Sequence, residues 1–266
     1  MSQPPPEALV RSLVDGPSRL SGLEFHPEVG STNAVALEAA RRGVAEIHAV
    51  AADVQTAGRG RLGRAWQAPA GTSLMVSLVL RPQVAEAAMA TLPLLVGSVL
   101  AEVVAAHLRE GPAEPDVALK WPNDLLVGGR KAAGVLVERD PAAAIAGIGC
   151  NVDWRGLERP ADLAGATSLA EEAGRAIDRW RLLAGLVGVL DRRYGEWQDD
   201  PAATLAGYRA RCATIGEDVR VERPGAAPLA GRATAIADDG RLLVATDDGE
   251  VAVDAGDVIH VRPADG

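Results

Sequence analysis

Three arginines alternate with three glycines in the segment 55–66, which reads QTAGRGRLGRAW. An arginine guanidinium can donate paired hydrogen bonds to phosphate or carboxylate oxygens, and glycine lets a backbone approach a ligand closely. Like charges repel and glycines lose much entropy on ordering, so we expect a loop that is mobile until an anion binds. Anion binding is favoured over the alternative, a solvated surface turn whose charge is incidental.

The glycines of this loop also match the dinucleotide-binding pattern G-x-G-x-x-G at Gly58, Gly60 and Gly63. That pattern needs a helix directly after it and an acidic residue about twenty positions later. Here Pro69 is followed by a β-type run, and the first acidic residue past the pattern is Glu86. The segment also lacks the Gly-Lys-Ser/Thr ending of a phosphate-binding P-loop. Nicotinamide, flavin and P-loop functions are therefore excluded.

A second polar cluster lies in the segment 119–138, which reads LKWPNDLLVGGRKAAGVLVE. Lys120, Asn123 and Asp124 surround a turn at Pro122, and a Gly-Gly pair predicts a hairpin that leads Lys131 into the next strand. Each of these residues alone has an ordinary structural explanation, such as a turn or a strand-end charge. Together, and beside a Gly/Arg loop, they indicate a site for anionic substrates.

The elements that must position these clusters follow from apolar periodicity. Strands are predicted at 23–29, 47–54, 72–80, 117–121, 125–127, 132–137 and 144–152, and helices at 31–43, 87–110, 176–197 and 202–212. We expect Ser31 or Thr32 to cap the first of these helices. The pattern is that of an α+β domain with a mixed or antiparallel sheet, which we assign to residues 1–213.

After Thr214 the sequence changes to short alternating segments separated by Asp239-Gly240 and Asp248-Gly249, which are strong hairpin signals. Residues 214–266 therefore form a second domain in this interpretation, a small SH3-like β-barrel.

Composition narrows the classes of function. The 266 residues carry a formal charge of -9, which argues against general binding to nucleic acid or anionic membranes. Pro93 and Gly97 interrupt the most apolar stretch, so we expect no membrane span, and the start of the sequence shows no signal-peptide pattern. Cys150 and Cys212 are isolated, which fits a reducing cytoplasm and gives no zinc or disulfide signal.

Five motifs occur in an order that resembles the biotin protein ligases: GSTN (30–33), QTAGRGRLGRAW (55–66), KWPNDLLV (120–127), RKAAGVLVE (130–138) and GIGCNV (147–152). The resemblance implies a class II synthetase-like catalytic domain and a reaction in two steps. The carboxylate of biotin attacks the α-phosphorus of ATP, which gives biotinyl-5′-AMP, and a lysine of a biotin carboxyl carrier domain of an acyl-CoA carboxylase then accepts the biotinyl group. Mg²⁺ is implied as the partner of the ATP phosphates, with no protein ligand assigned to it.

The resemblance also implies residue roles. Lys131 is the expected main catalytic cation, assisted by Arg59, Arg61 and Asp124. Biotin contacts are expected from Ser31, Thr32, Asn33, Gln55, Gly58, Arg59, Gly60, Arg61, Lys131 and Gly134. Contacts to ATP or the adenylate are expected from Arg61, Arg64, Trp66, Asn123, Lys131 and Asn151. Cys150, in the last motif, is interpreted as a small core residue.

Two alternatives stay open at this stage. A lipoate– or octanoate–protein ligase would use the same adenylate chemistry, and a non-enzymatic biotin or nucleotide sensor would bind without forming an acyl-adenylate. Only 30 residues precede Ser31, too few for the winged helix that lets some relatives bind DNA, so no operator binding is expected. The expected protein is a monomer or weak homodimer.

Overall fold

A seven-stranded mixed sheet organises the first part of the chain. The computed structural model describes residues 4–16, 18–110, 116–158, 163–223, 225–254 and 256–260. The strands are β1 Gly22–Val29, β2 His48–Gln55, β3 Ser73–Leu80, β4 Val117–Lys120, β5 Asp124–Val127, β6 Arg130–Asp140 and β7 Ala143–Asn151. Their order is β1-β2-β3-β7-β6-β5-β4, with β1 and β2 parallel and the other neighbours antiparallel. The predicted mixed sheet is confirmed.

Helices cover both faces of this sheet. They are α1 Glu7–Val14, α2 Thr32–Arg41, α3 Leu92–Leu108, α4 Leu169–Ala173, α5 Arg179–Asp199 and α6 Pro201–Arg209. α2 packs on β2, β3 and β7, while α3 packs on β4, β5 and β6. Every residue of β3 is buried. A strand that is covered on both faces has a nearly continuous apolar sequence rather than an alternating one, and β3 has such a sequence.

The most apolar helix lies inside the protein. The segment Glu86–Leu108 is long and apolar enough to cross a membrane by composition alone, and 61% of its most apolar window is buried in the fold. α3 packs against α5 and α6 as well as the sheet, which accounts for its composition. The predicted start at residue 87 is wrong, because Glu86–Thr91 forms a 3-10 turn and the α-helix begins only at Leu92, next to Pro93.

Two helices were not predicted. α1 directly follows Pro6, the last of three prolines, and the sequence analysis predicted no element there. α4 is just five residues long, but its signals stand in the sequence: Ser168 and Glu171 form a capping box, and Gly174 ends the helix in the left-handed region at φ 64°. The predicted N-cap of α2 is confirmed: Ser31 occupies that position, although its side chain makes no capping hydrogen bond.

The C-terminal module is all-β, as predicted, and forms a five-stranded antiparallel sheet. That this sheet closes into an SH3-like barrel stays a prediction. Its strands are β8 Asp218–Glu222, β9 Leu229–Ile236, β10 Leu242–Thr246, β11 Gly249–Val253 and β12 Asp257–His260, in the order β11-β10-β9-β8-β12. The predicted hairpin turn at Asp239-Gly240 joins β9 to β10, and Gly240 has φ 85°. The last six residues of the predicted module, 261–266, lie outside the described residues.

Trp121 joins the C-terminal module to the seven-stranded sheet. It is buried, at 2% exposure, and its indole Nε1 donates a hydrogen bond to the carbonyl of Gly240, 3.0 Å away. Its backbone N–H donates to Oγ1 of Thr214 at 3.0 Å. The turn that carries Asn123 and Asp124 is therefore held by the second module as well as by its own sheet.

Candidate active site

The floor of the site is a strip of bare backbone on β6 and β7. Gly134 lies opposite Gly149 in the β6–β7 register, and Gly147 stands two residues before Gly149 on the same face. A methyl group at Gly149 would lie 2.3 Å from Cε2 of Trp66, and one at Gly134 would lie 3.3 Å from Cζ3. The Trp66 indole therefore rests on backbone that only glycine leaves open.

One wall is a network of buried polar side chains. The backbone N–H and Oγ1 of Thr32 both donate to Oε1 of Gln55, at 2.8 and 3.1 Å. Ser77 Oγ donates to Oδ1 of Asn33 at 2.6 Å, and Nδ2 of Asn33 donates to Oε2 of Glu138 at 2.7 Å. Buried polar groups that are fully paired are rigid, so this wall presents a fixed set of donors and acceptors.

The expected catalytic cation is held by the β5–β6 hairpin. Gly128 and Gly129 take positive φ angles of 56° and 70°, which the tight turn requires, and place Lys131 on β6 beside β5. Nζ of Lys131 lies 2.7 Å from Oδ1 of Asp124 and 5.8 Å from the centre of the Trp66 ring. The ammonium is thus fixed between a carboxylate and an aromatic face.

The Gly/Arg loop, residues 58–66, forms a flap over this floor. The backbone N–H of Gly60 donates to the carbonyl of Arg64 at 2.7 Å, and that of Trp66 donates to Gly58 at 2.9 Å. Leu62 stands at the tip, 51% exposed, with a left-handed φ of 56°. The loop therefore has a defined hairpin-like conformation. That it becomes ordered only when an anion binds stays a prediction.

Each flap arginine reaches a different element. Nη2 of Arg59 lies 3.3 Å from Oε1 of Glu138 on β6. Nη1 of Arg61 donates to Oδ1 of Asn123 at 3.4 Å, just before β5. The guanidinium of Arg64 donates through Nη1 and Nη2 to the two carboxylate oxygens of Asp257, at the start of β12.

Two of these arginines have shifted acidities. Burial lowers the pKa of Arg61, and the charge of Asp124 opposes that shift. The hydrogen bond to Asp257 raises the pKa of Arg64. Both groups keep their charge at any physiological pH, because arginine starts from a pKa above 12. The flap therefore carries permanent cations to the cavity.

Two adjoining cavities meet at Lys131. The first measures about 640 Å³ and the second about 610 Å³, which is the size range of small-molecule sites. They share Lys131, Trp66 and Gln55 in their walls, together with Ala65, Leu163 and Ala166. Two ligands, one in each cavity, would therefore share a wall that contains Lys131.

Comparison with known proteins identifies the family to which this fold belongs. The model of the biotin/lipoate A/B protein ligase family matches residues 30–154, and that of the biotin protein ligase C-terminal domain matches residues 214–261. A biotin–[acetyl-CoA-carboxylase] ligase of Mycobacterium tuberculosis is 39% identical over 253 residues, which is 94% of this chain and 93% of the relative. The chain belongs to the biotin protein ligase family.

Solved structures of this family agree with the fold. Biotin protein ligase from Aquifex aeolicus, in complex with biotin and ATP, matches with a TM-score of 0.77 at 29% identity, over 91% of this chain and 99% of that one. The enzyme from Leishmania major, in complex with biotinyl-5-AMP, matches with a TM-score of 0.60 at 26% identity, over 88% and 98% of the two chains.

Most residues expected from the family resemblance come together. The first cavity is lined by Ser31, Thr32, Asn33, Gln55, Arg59, Gly60, Arg61, Arg64, Trp66, Asn123, Asp124, Lys131 and Gly134. Two expected residues do not line the first cavity. Gly58 supports the flap from behind, where a methyl group would lie 2.3 Å from the carbonyl of Trp66. Asn151 lines only the second cavity, and its Nδ2 donates to the carbonyl of Thr167 at 3.0 Å.

Several site residues were missed by sequence reasoning. Gly147 and Gly149 stand two apart in a strand, which places both on one face, and that spacing was a usable signal. Ser77 was visible as a polar residue inside an apolar run. Glu138 and Asp257 meet flap arginines only through tertiary contacts, and no local pattern reveals such pairs.

Cys150 lies fully buried in β7, as expected for a core residue. Burial raises the pKa of its thiol to about 12, so the group is neutral at physiological pH and is no nucleophile.

Proposed function

We propose that this protein activates biotin with ATP to biotinyl-5′-AMP and transfers the biotinyl group to one lysine of a biotin carboxyl carrier domain. The observation that carries the proposal is the place of Lys131, at the junction of two ligand-sized cavities. The name of the Mycobacterium tuberculosis relative and the biotin and ATP complex of the Aquifex aeolicus relative support the choice of substrates.

In the first step, a carboxylate oxygen of biotin forms a bond to the α-phosphorus, and the bond from that phosphorus to the β-phosphate bridge breaks. Both reactants are anions, so their approach needs cations that offset the repulsion and stabilise the charge of the transition state. Lys131 supplies a fixed charge at the junction, and Arg59 and Arg61 supply further charge from the flap. Asp124 holds the ammonium in place.

The two ends of biotin fit different parts of the first cavity. We assign its polar ureido ring to the wall formed by Thr32, Asn33 and Gln55, whose side chains are held by one hydrogen-bond network. The carboxylate then points toward Lys131. We assign the nucleotide to the second cavity, whose wall includes Trp66 and Asn151.

In the second step, the amine of the acceptor lysine attacks the acyl carbon, the bond from that carbon to the AMP oxygen breaks, and the amine loses a proton. Acyl-adenylates also react with water, so the intermediate needs a covered site. In this proposal the flap arginines, which line the first cavity, form that cover.

We infer that Mg²⁺ enters this site as a partner of the substrate. Within the described residues there is no group of three His, Cys, Asp or Glu side chains that could hold a metal ion. Asp124, the carboxylate nearest the junction, is engaged with Lys131. We therefore propose that Mg²⁺ binds through the ATP phosphates and water, where it would neutralise phosphate charge.

The direct test is mass spectrometry of a carrier domain after incubation with this protein, ATP, Mg²⁺ and biotin. We expect the mass of one biotinyl group on one lysine. Lys120 and Lys131 are the two lysines among the 27 basic residues of the chain, so self-labelling of lysine has few places to occur and is easily separated from transfer. A carrier that stays unmodified while the protein binds biotin and ATP would contradict the proposal and favour a sensor.

A further inference from the structure

Glu172, in the short helix α4, holds three pieces of the active-site scaffold with one carboxylate. Its Oε1 accepts hydrogen bonds from Nη2 of Arg130 and from Oγ1 of Thr167, both at 2.6 Å. Its Oε2 lies against the hairpin turn, 3.1 Å from where a Cβ of Gly128 would stand. The Glu172 side chain is 17% exposed and Thr167 is buried, while the Arg130 side chain is 48% exposed.

All three pieces belong to the setting of Lys131. Arg130 is its chain neighbour, and Gly128 begins the turn that leads into it. Thr167 is bound to it directly, because the backbone N–H of Thr167 donates to the carbonyl of Lys131 at 2.8 Å. Lys131 also forms a parallel β-bridge with Ala166. The carboxylate thus closes a ring of contacts around the start of β6.

The same ring reaches the second cavity. The carbonyl of Thr167 accepts the hydrogen bond from Asn151, and Ala166 lines both cavities. Movement of the segment that carries Ala166 and Thr167 would therefore shift Lys131 and the nucleotide wall together.

We propose that Glu172 is a positioning residue for Lys131, which it holds at the junction of the two cavities without touching either substrate. The inference rests on the proposed function, since it assigns Lys131 its role in adenylate formation. Removing a group that orients a catalytic residue typically costs about 10- to 100-fold in activity, and displacements near 1 Å suffice for such losses.

The test compares Glu172→Ala with Glu171→Ala in biotin-dependent pyrophosphate–ATP exchange. Glu171 belongs to the same helix turn and completes the capping box with Ser168, so its loss weakens α4 without touching Arg130 or the hairpin. We expect Glu172→Ala to lower kcat about 10- to 100-fold with KM for biotin within about threefold. Glu172→Gln keeps the acceptor oxygen and should recover part of the rate. Glu171→Ala should stay within about threefold of the unmodified protein.

A second readout follows Lys131 itself. With isotopically labelled lysine, the chain gives two backbone amide signals, and Lys120→Arg identifies the one from Lys131. Glu172→Ala should broaden or split the Lys131 signal and leave the Lys120 signal sharp, whereas Glu171→Ala should leave both sharp. Equal losses of kcat in the two variants, or an unchanged Lys131 signal in Glu172→Ala, would overturn the proposal. Absence of exchange in the unmodified protein would contradict the proposed function instead. The lysine signals would still show whether Glu172 positions Lys131.

Discussion

The β5–β6 hairpin and the Gly/Arg flap both deliver cations to the same cavity, by opposite means. Lys131 stands on a strand paired on both sides, with its ammonium 2.7 Å from Asp124. The side chains of Arg59 and Arg64 are 56% and 60% exposed, and they reach the scaffold through single ion pairs to Glu138 and Asp257.

The difference indicates a division of labour. A charge that must meet the α-phosphorus at a defined place is built into the sheet, since a rigid element gives the precision that such stabilisation requires. The charges that, in our proposal, admit substrates and exclude water lie on a segment whose exposed arginines pair with half-buried carboxylates. Exposed pairs contribute little free energy, so anionic substrates can replace them.

The largest effect is expected from the hairpin. Lys131→Ala removes the fixed cation at the junction, and we expect biotin-dependent pyrophosphate–ATP exchange to fall about 1,000-fold or more in kcat. Lys120, although the sequence groups it with the site residues, lines neither cavity, so Lys120→Ala should stay within about twofold. Comparable losses in the two variants would remove the distinction between a catalytic and a merely nearby charge.

The second-largest effect is expected from the glycine floor formed by β6 and β7. Gly149→Ala places a methyl group where Trp66 lies, and the indole must move because the clash is with a ring at 2.3 Å. We expect kcat/KM for exchange to fall about 100-fold, since a displaced aromatic wall misplaces both substrates. Gly165→Ala is the matched control, because it also lines the first cavity but its Cβ would meet nothing within 4 Å. A mild effect of Gly149→Ala would show that Trp66 is free to leave the floor.

Limited trypsin digestion compares the two regions directly. Cleavage should occur first after the flap arginines Arg59, Arg61 and Arg64, while Arg130 and Lys131 in the paired strand resist, because local opening is easiest where few backbone contacts must break. Biotin with ATP and Mg²⁺ should slow flap cleavage at least about tenfold. Early cleavage at Arg130, or no protection by substrates, would contradict the assigned roles.

About half of this contrast was readable from the sequence. Apolar runs predicted the sheet and Gly128-Gly129 predicted the hairpin, because both depend on local patterns. The glycines and arginines of the flap were equally visible. What the flap touches was not, since Glu138 and Asp257 lie about 80 and 190 positions away and meet it only through the register of the sheets.

The buried framework predicts a pH dependence of stability. Burial raises the pKa of the Cys150 thiol to about 12, whereas a thiol in the unfolded chain has a pKa of about 8.5. Between these two pKa values the folded protein keeps the thiol proton and the unfolded chain loses it. The stabilising contribution of the buried neutral thiol is therefore complete below about pH 8.5 and is lost as the pH rises toward 12. Urea unfolding should show a smaller loss of stability between pH 8 and 10 in Cys150→Ala than in the unmodified protein. An identical slope would place the thiol in contact with solvent.

The smallest effect is expected where the flap meets the C-terminal module. Asp257→Asn removes the charge that holds Arg64, and because Arg64 is 60% exposed the free energy of unfolding should change by less than about 1 kcal/mol. Trypsin cleavage after Arg64 should nevertheless become a few times faster. A large loss of stability would mean that this pair belongs to the rigid part of the molecule.

The central claim, that Lys131 joins biotin to ATP at the meeting point of two cavities, is tested most directly by pyrophosphate–ATP exchange with each acid in turn. The account predicts exchange that depends on biotin, is not supported by lipoate or octanoate, and is lost in Lys131→Ala. Exchange that requires lipoate or octanoate, or biotin-dependent exchange that survives Lys131→Ala, would contradict it.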